Sequence, residues 1–277
     1  MSAGYITYKR SRIHYVKTGE GAAVTICFHG FGEDATSFNR LGEGLVGHML
    51  IAIDLPFHGK TEWNEGLSLS VQELMEIISL CPDLQERSFG LMGYSMGGKV
   101  ALSVFEAFPK WITHMILVAP DGLRPAPWHW FGTKTRVGNR LLRFTMTKPG
   151  WFKSLLDTAR SAGFINESIY KFVNLHLDDP VLREKVYRIW TTLRNFRPDT
   201  TAIKHYVSSH EIPVYMLFGK YDRLCPYPDG RSFAKGLGEL CRMEIVETGH
   251  LLMHSRFLAQ QMEAFEFCLN GMIKEPE

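Results

Sequence analysis

The chain has 277 residues, is 45% hydrophobic and carries a formal net charge of +2 from 31 basic and 29 acidic side chains. That balance suits a globular chain of one large domain, or a domain with an insertion, and gives no whole-chain reason to bind nucleic acid. No apolar run approaches the roughly 20 residues that span a bilayer, and the alternating stretch 1–21 lacks the apolar centre of a signal peptide.

Residues 5–19 alternate apolar and polar side chains around a short basic turn, which predicts an antiparallel hairpin. Residues 23–28 form a β-branched apolar run stopped by glycines, and 48–59, 89–95, 113–122, 213–222 and 241–250 contain further runs of that kind. Runs ending in Gly, Asp or Pro suit strands buried on both faces. Between them, 70–81 predicts a helix with Val71, Leu74, Met75 and Ile78 on one face, Ser70 as its N-cap and Glu73 at the capping-box position. A second helix is expected over 97–108, ending before Pro109. This alternation predicts an α/β fold: a mostly parallel central sheet with helices on both faces.

The alternation stops between Gly122 and Ser209. Helical patterns there cover 166–177 and 178–196, the second with Asp179 as N-cap, Pro180 at the first helical position, and Leu182, Val186, Ile189 and Leu193 at helical spacing. The expected organisation is a core of residues 1–121 and 210–277 with a helical lid, 122–209, inserted after the sixth strand. Because the insertion leaves and returns at strand ends, it is expected over the sheet's C-terminal edge, where open α/β sheets bind ligands. From Arg124 to Arg160 eight basic residues stand against one acid, Asp157, with Trp128, Trp130, Phe131, Trp151 and Phe152 interleaved. The simplest reading is a solvated basic face over an apolar lid core. An anionic, partly apolar substrate or an anionic membrane surface also suits that mixture. RNA fits less well, because the basic run belongs to no recognised module.

Residues 91–102, LMGYSMGGKVAL, place Ser95 between two glycines at the end of an apolar run and the start of a helix. A serine on such a sharp turn points out of the sheet, and the following helix brings free N–H groups near developing negative charge. A neutral hydroxyl needs a base, and His250 follows the last strand. The imidazole needs an acceptor, and Asp222 follows the strand before it, in a G-x-x-D-x-x-x-P context. Asp121, which ends an earlier strand in LVAPDG, is the competing acid and otherwise a turn residue at the entry to the lid.

In the order Ser95, Asp222, His250, and with HGFG at 29–32, DLPFHGKT at 54–61 and GYSMGG at 93–98, the sequence resembles the α/β-hydrolase fold superfamily. The resemblance is to the lidded branch of carboxylesterases, lipases and carbon–carbon bond hydrolases, and covers nearly the whole chain apart from the lid. It implies a Ser95–His250–Asp222 triad, an oxyanion hole from the backbone N–H groups of Phe31 and Met96, and chemistry that needs no metal or organic cofactor. The implied substrate is a small acyl compound. Tyr94, Phe57 and Arg124 are candidate substrate contacts. A serine nucleophile argues against the dehalogenase and epoxide-hydrolase branches, which use a carboxylate.

Two departures stand out: Phe57 occupies a position that is often glycine in the family, and Thr61 one that is often serine. GYSMGGK is also similar to the G-Y-S-x-G-G-R of menaquinone-pathway lyases, with Lys99 in place of the arginine. That likeness keeps C–C bond cleavage open as an alternative to ester hydrolysis. A non-catalytic ligand receptor on the same fold is the third reading, and needs neither base nor oxyanion donors. His29 and His58 lie in glycine turns and Asp54 at a strand end, positions that suit bracing the loops. His254, four residues after His250, lacks the glutamate of a metal-binding H-E-x-x-H. Cys27, Cys81, Cys225, Cys241 and Cys268 form no C-x-x-C pair, so neither a disulfide framework nor a zinc knuckle is expected, and a reducing cytoplasm is the simplest compartment.

Overall fold

The computed structural model describes residues 1–84, 87–165 and 167–270. In chain order its elements are β1 (Ser2–Tyr8), β2 (Ser11–Gly19), β3 (Ala23–Phe28), α1 (Asn39–Gly44), β4 (His48–Ile53), α2 (Val71–Ser79), β5 (Phe89–Tyr94), α3 (Met96–Ala107) and β6 (Ile112–Val118). Five helices then follow with no strand among the described residues: α4 (Pro127–Lys134), α5 (Arg136–Thr147), α6 (Gly150–Ser161), α7 (Glu167–Asp178) and α8 (Pro180–Thr192). The chain closes with α9 (Thr200–Ser209), β7 (Val214–Gly219), α10 (Tyr227–Ala234), β8 (Cys241–Val246) and α11 (Leu258–Asn270).

The chain divides into two compact units. The first holds Met1–Asn64, Ser70–Arg124 and the residues from Phe196 on, and the second holds Glu65–Leu69 and Pro125–Asn195. The eight strands of the first unit are ordered β1-β2-β4-β3-β5-β6-β7-β8. The β1–β2 hairpin joins antiparallel to β4, and every pair from β4 to β8 is parallel. The expected α/β-hydrolase architecture is therefore present. Strand side chains alternate between faces. On one face Cys27, Leu50, Met92, Ile116 and Leu217 pack in a cluster with Phe38, Leu41 and Phe265. On the other, α3 lies against β3, β5 and β6.

Local signals act as their chemistry requires. Ser70 accepts from the Glu73 N–H (3.1 Å) while the Glu73 carboxylate accepts from the Ser70 N–H (3.0 Å), closing the capping box of α2. The buried face of α2 is Leu74, Ile77 and Ile78, with Val71 and Met75 at its margin.

In the second unit, Asp179 caps α8 by accepting from the Val181 N–H (2.7 Å) with Pro180 at the first helical position. Val186, Ile189 and Leu193 are buried as their spacing predicts. α7 starts at Glu167; Asn166, included in the expected helix, lies outside the described residues. Segment 65–69 is tied to α8 by the Leu69 N–H on the Thr192 carbonyl (3.1 Å) and by Arg194 on the Leu67 carbonyl (2.6 Å).

Candidate active site

β5 ends at Tyr94 and α3 begins at Met96, so Ser95 alone turns the chain from strand to helix, at φ 51° and ψ −117°. A left-handed φ costs a non-glycine residue about 1–2 kcal/mol. The surroundings enforce it: the Ser95 N–H donates to the Val118 carbonyl (3.0 Å), and the Ser95 carbonyl accepts from Gly98 (2.9 Å) and Asp121 (2.8 Å). Glycine is required on either side by close approach. A Cβ on Gly97 would sit 1.9 Å from the Phe28 carbonyl oxygen, and one on Gly93 would sit 2.5 Å from the Gly97 oxygen.

His250 follows β8, and its two ring nitrogens have separate partners. Nδ1 lies 2.6 Å from Asp222 Oδ2 and Nε2 lies 2.8 Å from Ser95 Oγ. A carboxylate only accepts, so Nδ1 carries the proton and Nε2 is left to accept from the serine hydroxyl. Asp222 sits in the turn after β7 with its side chain buried. Its other oxygen accepts from the Leu224 N–H (2.8 Å) and the Cys225 N–H (3.1 Å), so the carboxylate is held at both ends.

The loop after β3 approaches the same place. The Gly30 carbonyl accepts from His29 Nδ1 (2.8 Å) and the Glu33 N–H (3.3 Å), while His29 Nε2 accepts from the Leu55 N–H (3.1 Å). A trans peptide is planar, so holding that carbonyl sets the direction of the Phe31 N–H on its far side. Met96 is the first residue of α3, where a backbone N–H has no intrahelical acceptor.

A family model described as "Alpha/beta hydrolase family" matches residues 25–263. The chain belongs to the alpha/beta hydrolase family. It is 26% identical over 247 residues to the uncharacterized hydrolase YugF of Bacillus subtilis, a match covering 88% of each chain. It is also 26% identical over 262 residues to a 2-hydroxy-6-oxo-6-phenylhexa-2,4-dienoate hydrolase of Comamonas testosteroni, covering 86% of this chain and 84% of that one. A thermophilic esterase from Thermogutta terrifontis shares the fold, with a TM-score of 0.66 at 18% identity over 97% of this chain and 100% of its own.

Around this α/β hydrolase's Ser95, the remaining expected residues take different places. Tyr94, expected at the substrate, is 2% exposed. Its ring stacks on that of His250 (centroids 5.5 Å apart, 29° between planes), and its hydroxyl donates to the His250 carbonyl (3.0 Å). Its burial and engaged hydroxyl place it behind His250 rather than on an open wall. Phe57 is half-buried and adopts φ 65°, the left-handed region that explains why glycine is common there. Arg124 is largely exposed and pairs at long range with Asp229 (3.9 Å). Asp121 forms an ion pair with Lys99 (3.1 Å).

Asp54 acts as a brace: it accepts from His14 Nδ1 (2.7 Å), the Ala35 N–H (2.6 Å) and the Lys60 N–H (2.8 Å). Thr61 donates its hydroxyl to the Asp54 carbonyl (2.7 Å). His58 holds the Pro56 carbonyl (3.0 Å), and His254 accepts from the Arg256 N–H (3.2 Å).

One group escaped the sequence reading. Glu33, half-buried in the loop after β3, accepts from the Ser37 hydroxyl (3.0 Å). Burial pushes its carboxyl above the usual range, while Ser37 and the nearby His250 pull the other way. The acidic pair Glu33-Asp34 directly after HGFG was the available signal.

Proposed function

We propose that the protein is a serine hydrolase that cleaves a carboxylic ester or related acyl compound. The observation that carries this reading is His250, whose two nitrogens reach Ser95 Oγ and Asp222 Oδ2 at once. His250 Nε2 takes the Ser95 proton as Oγ attacks the substrate carbonyl, and Asp222 stabilises the imidazolium. The backbone N–H groups of Phe31 and Met96 receive the oxyanion, where losing one such donor costs about 3–4 kcal/mol. The imidazolium then protonates the leaving alcohol, and a water activated by His250 releases the acid from the acyl-enzyme.

The charges in the sheet unit support a neutral ester over a carboxylate-bearing substrate. Lys99 is paired with Asp121, and Glu33 adds an acidic group beside the base. C–C bond cleavage by the same three residues is the second reading, favoured by the likeness to the Comamonas hydrolase.

The test is a series of p-nitrophenyl esters from acetyl to palmitoyl, with Ser95→Ala as control and a fluorophosphonate probe on folded protein. Ester turnover and probe labelling that both vanish in Ser95→Ala are expected. Full esterase activity in Ser95→Ala would overturn the proposal. Turnover of a vinylogous diketone acid with inertness toward every ester would replace it with the C–C reading.

A further inference from the structure

Helix α5 of the second unit is divided lengthwise into three sectors. Gly138 and Thr145 are buried, and Asn139 donates to Thr191 Oγ1 (3.1 Å) and accepts from the Tyr187 hydroxyl (3.0 Å), so this side packs on α8. Val137, Leu141 and Phe144, at i, i+4 and i+7, form a second sector that is 71%, 45% and 48% exposed. Arg136, Arg140 and Arg143, at the same spacing one residue earlier, form an exposed third. The following helix repeats the apolar theme: Trp151 and Leu155 of α6, four residues apart, are 42% and 54% exposed.

A helix packed on one side normally presents polar residues elsewhere. Here a sector of large apolar side chains stays in water directly beside a row of arginines. Strong segregation with low mean hydropathy marks helices that lie in a membrane interface, as opposed to helices that span a bilayer or fill a core. Among the described residues no helix is long and apolar enough to cross a membrane.

Charge selects the occupant. Residues 127–161 carry seven Lys or Arg against the single acid Asp157, in a chain whose net charge is only +2. Lys153 and Arg160 are taken up by Asp178 and Glu167. Among the described residues Arg136, Arg140 and Lys148 form no ion pair. An anionic headgroup layer over an acyl interior offers partners to both sectors at once: phosphates for the arginines and acyl chains for Val137, Leu141 and Phe144.

We propose that α5 and α6 seat the protein on an anionic lipid surface. The test is cosedimentation of the full chain with phosphatidylcholine vesicles, with and without about 30% phosphatidylglycerol, at low and physiological salt. Binding to the anionic vesicles alone, weakened by salt, is expected. Replacing Val137, Leu141 and Phe144 together by Gln should abolish it. Replacing Arg136, Arg140 and Arg143 together by Gln should weaken it about a hundred-fold.

All six positions are exposed, so the melting temperature and the turnover of p-nitrophenyl acetate should stay at wild-type values. Vesicle binding is read without turnover, so a failure of the esterase reading leaves this test intact. Absence of wild-type binding, or wild-type binding by the Gln variants, would overturn the proposal. So would loss of p-nitrophenyl acetate turnover in the apolar variant, which would make the sector a wall of the substrate pocket.

Discussion

Tyr94 offers a sharp test of how the candidate site is held. Its ring touches two segments of the site: a Cβ on Gly30 would meet its ring carbons at 3.0 Å, and the His250 ring stacks on it at 5.5 Å. The His250 carbonyl accepts from two donors, the Tyr94 hydroxyl (3.0 Å) and the Leu252 N–H (2.8 Å). Tyr94→Phe keeps the ring and removes one donor, a net loss of about 1 kcal/mol, or roughly five-fold in rate. Tyr94→Leu also removes the stack, worth about 0.5–1.5 kcal/mol beyond its buried area, for a total fall of roughly 10- to 100-fold.

Both losses should appear in kcat and in the rate of fluorophosphonate labelling, with KM within about two-fold, if Tyr94 positions His250 without touching substrate. Gly30→Ala, which crowds the same ring, should reproduce the kcat loss. Steady-state kinetics on one p-nitrophenyl ester decide the matter. A Tyr94→Phe enzyme with unchanged kcat and a raised KM would show that the hydroxyl meets substrate, and would refute the positioning role.

Asp222→Asn should lower kcat by roughly two to four orders of magnitude, by disturbing the tautomer that leaves Nε2 free to accept. Asp121→Asn should stay within a few-fold of wild type, and the reverse pattern in ester turnover would make Asp121 the acid. Gly97→Ala places a methyl 1.9 Å from the Phe28 carbonyl oxygen and should cost about 3 kcal/mol or more in urea unfolding; an unchanged midpoint would contradict the packing of the turn. Burial pushes His48 down to about 4 and His114 to about 3, both against the Thr25 hydroxyl. Unfolded histidines titrate near 6.5, so stability is full above that pH and falls as pH drops toward 4, when the unfolded chain binds protons that the native one refuses. At pH 5 each should have cost about 2 kcal/mol, and His114→Gln should remove that share of the drop between pH 7 and 5 in urea unfolding. An equal drop in the variant would show that His114 carries none of it.

Ser95 and Asp222 were legible because each follows a strongly apolar run: β5 and β7 are buried throughout, and a polar residue after tyrosine marks the point at which the chain leaves the sheet. His250 follows β8, the edge strand, whose residues are only partly buried, and was legible from its place in the chain order after Ser95 and Asp222. Caps were legible for a similar reason. Ser70 with Glu73, and Asp179 with Pro180, satisfy helix-end donors through neighbours in sequence, with no help from tertiary contacts.

The limits of the insertion depend on contacts that no local pattern contains. Helix α9 has the same apolar spacing whether it joins the sheet or the insertion, and Ile203 and Val207 are buried within the first unit. The direction of Tyr94 was hidden too. Next to Ser95 in sequence, it still ends a strand whose side chains alternate, and its ring belongs to the core cluster with Phe38 and Phe265.

A near-neutral total concealed the most informative charge pattern in the chain. Outside residues 127–161 the chain carries 24 basic and 28 acidic residues, so a mildly acidic remainder is balanced by one short basic stretch. The two parts answer different questions. In the sheet unit Lys99 is matched by Asp121, and Glu33 contributes a carboxyl near His250, which is the ground for the proposed neutral substrate. The arginines of α5 lie on an exposed face of the other unit. Read as one field, the basic residues argue for an anionic substrate. Resolved by unit, they argue for a neutral acyl substrate and an anionic surface. Salt separates the two accounts, because exposed charges are screened within about 8 Å at physiological ionic strength. Raising salt should release the protein from anionic vesicles while leaving turnover of a neutral dissolved ester unchanged. A fall in that turnover parallel to the loss of vesicle binding would return the arginines to the substrate.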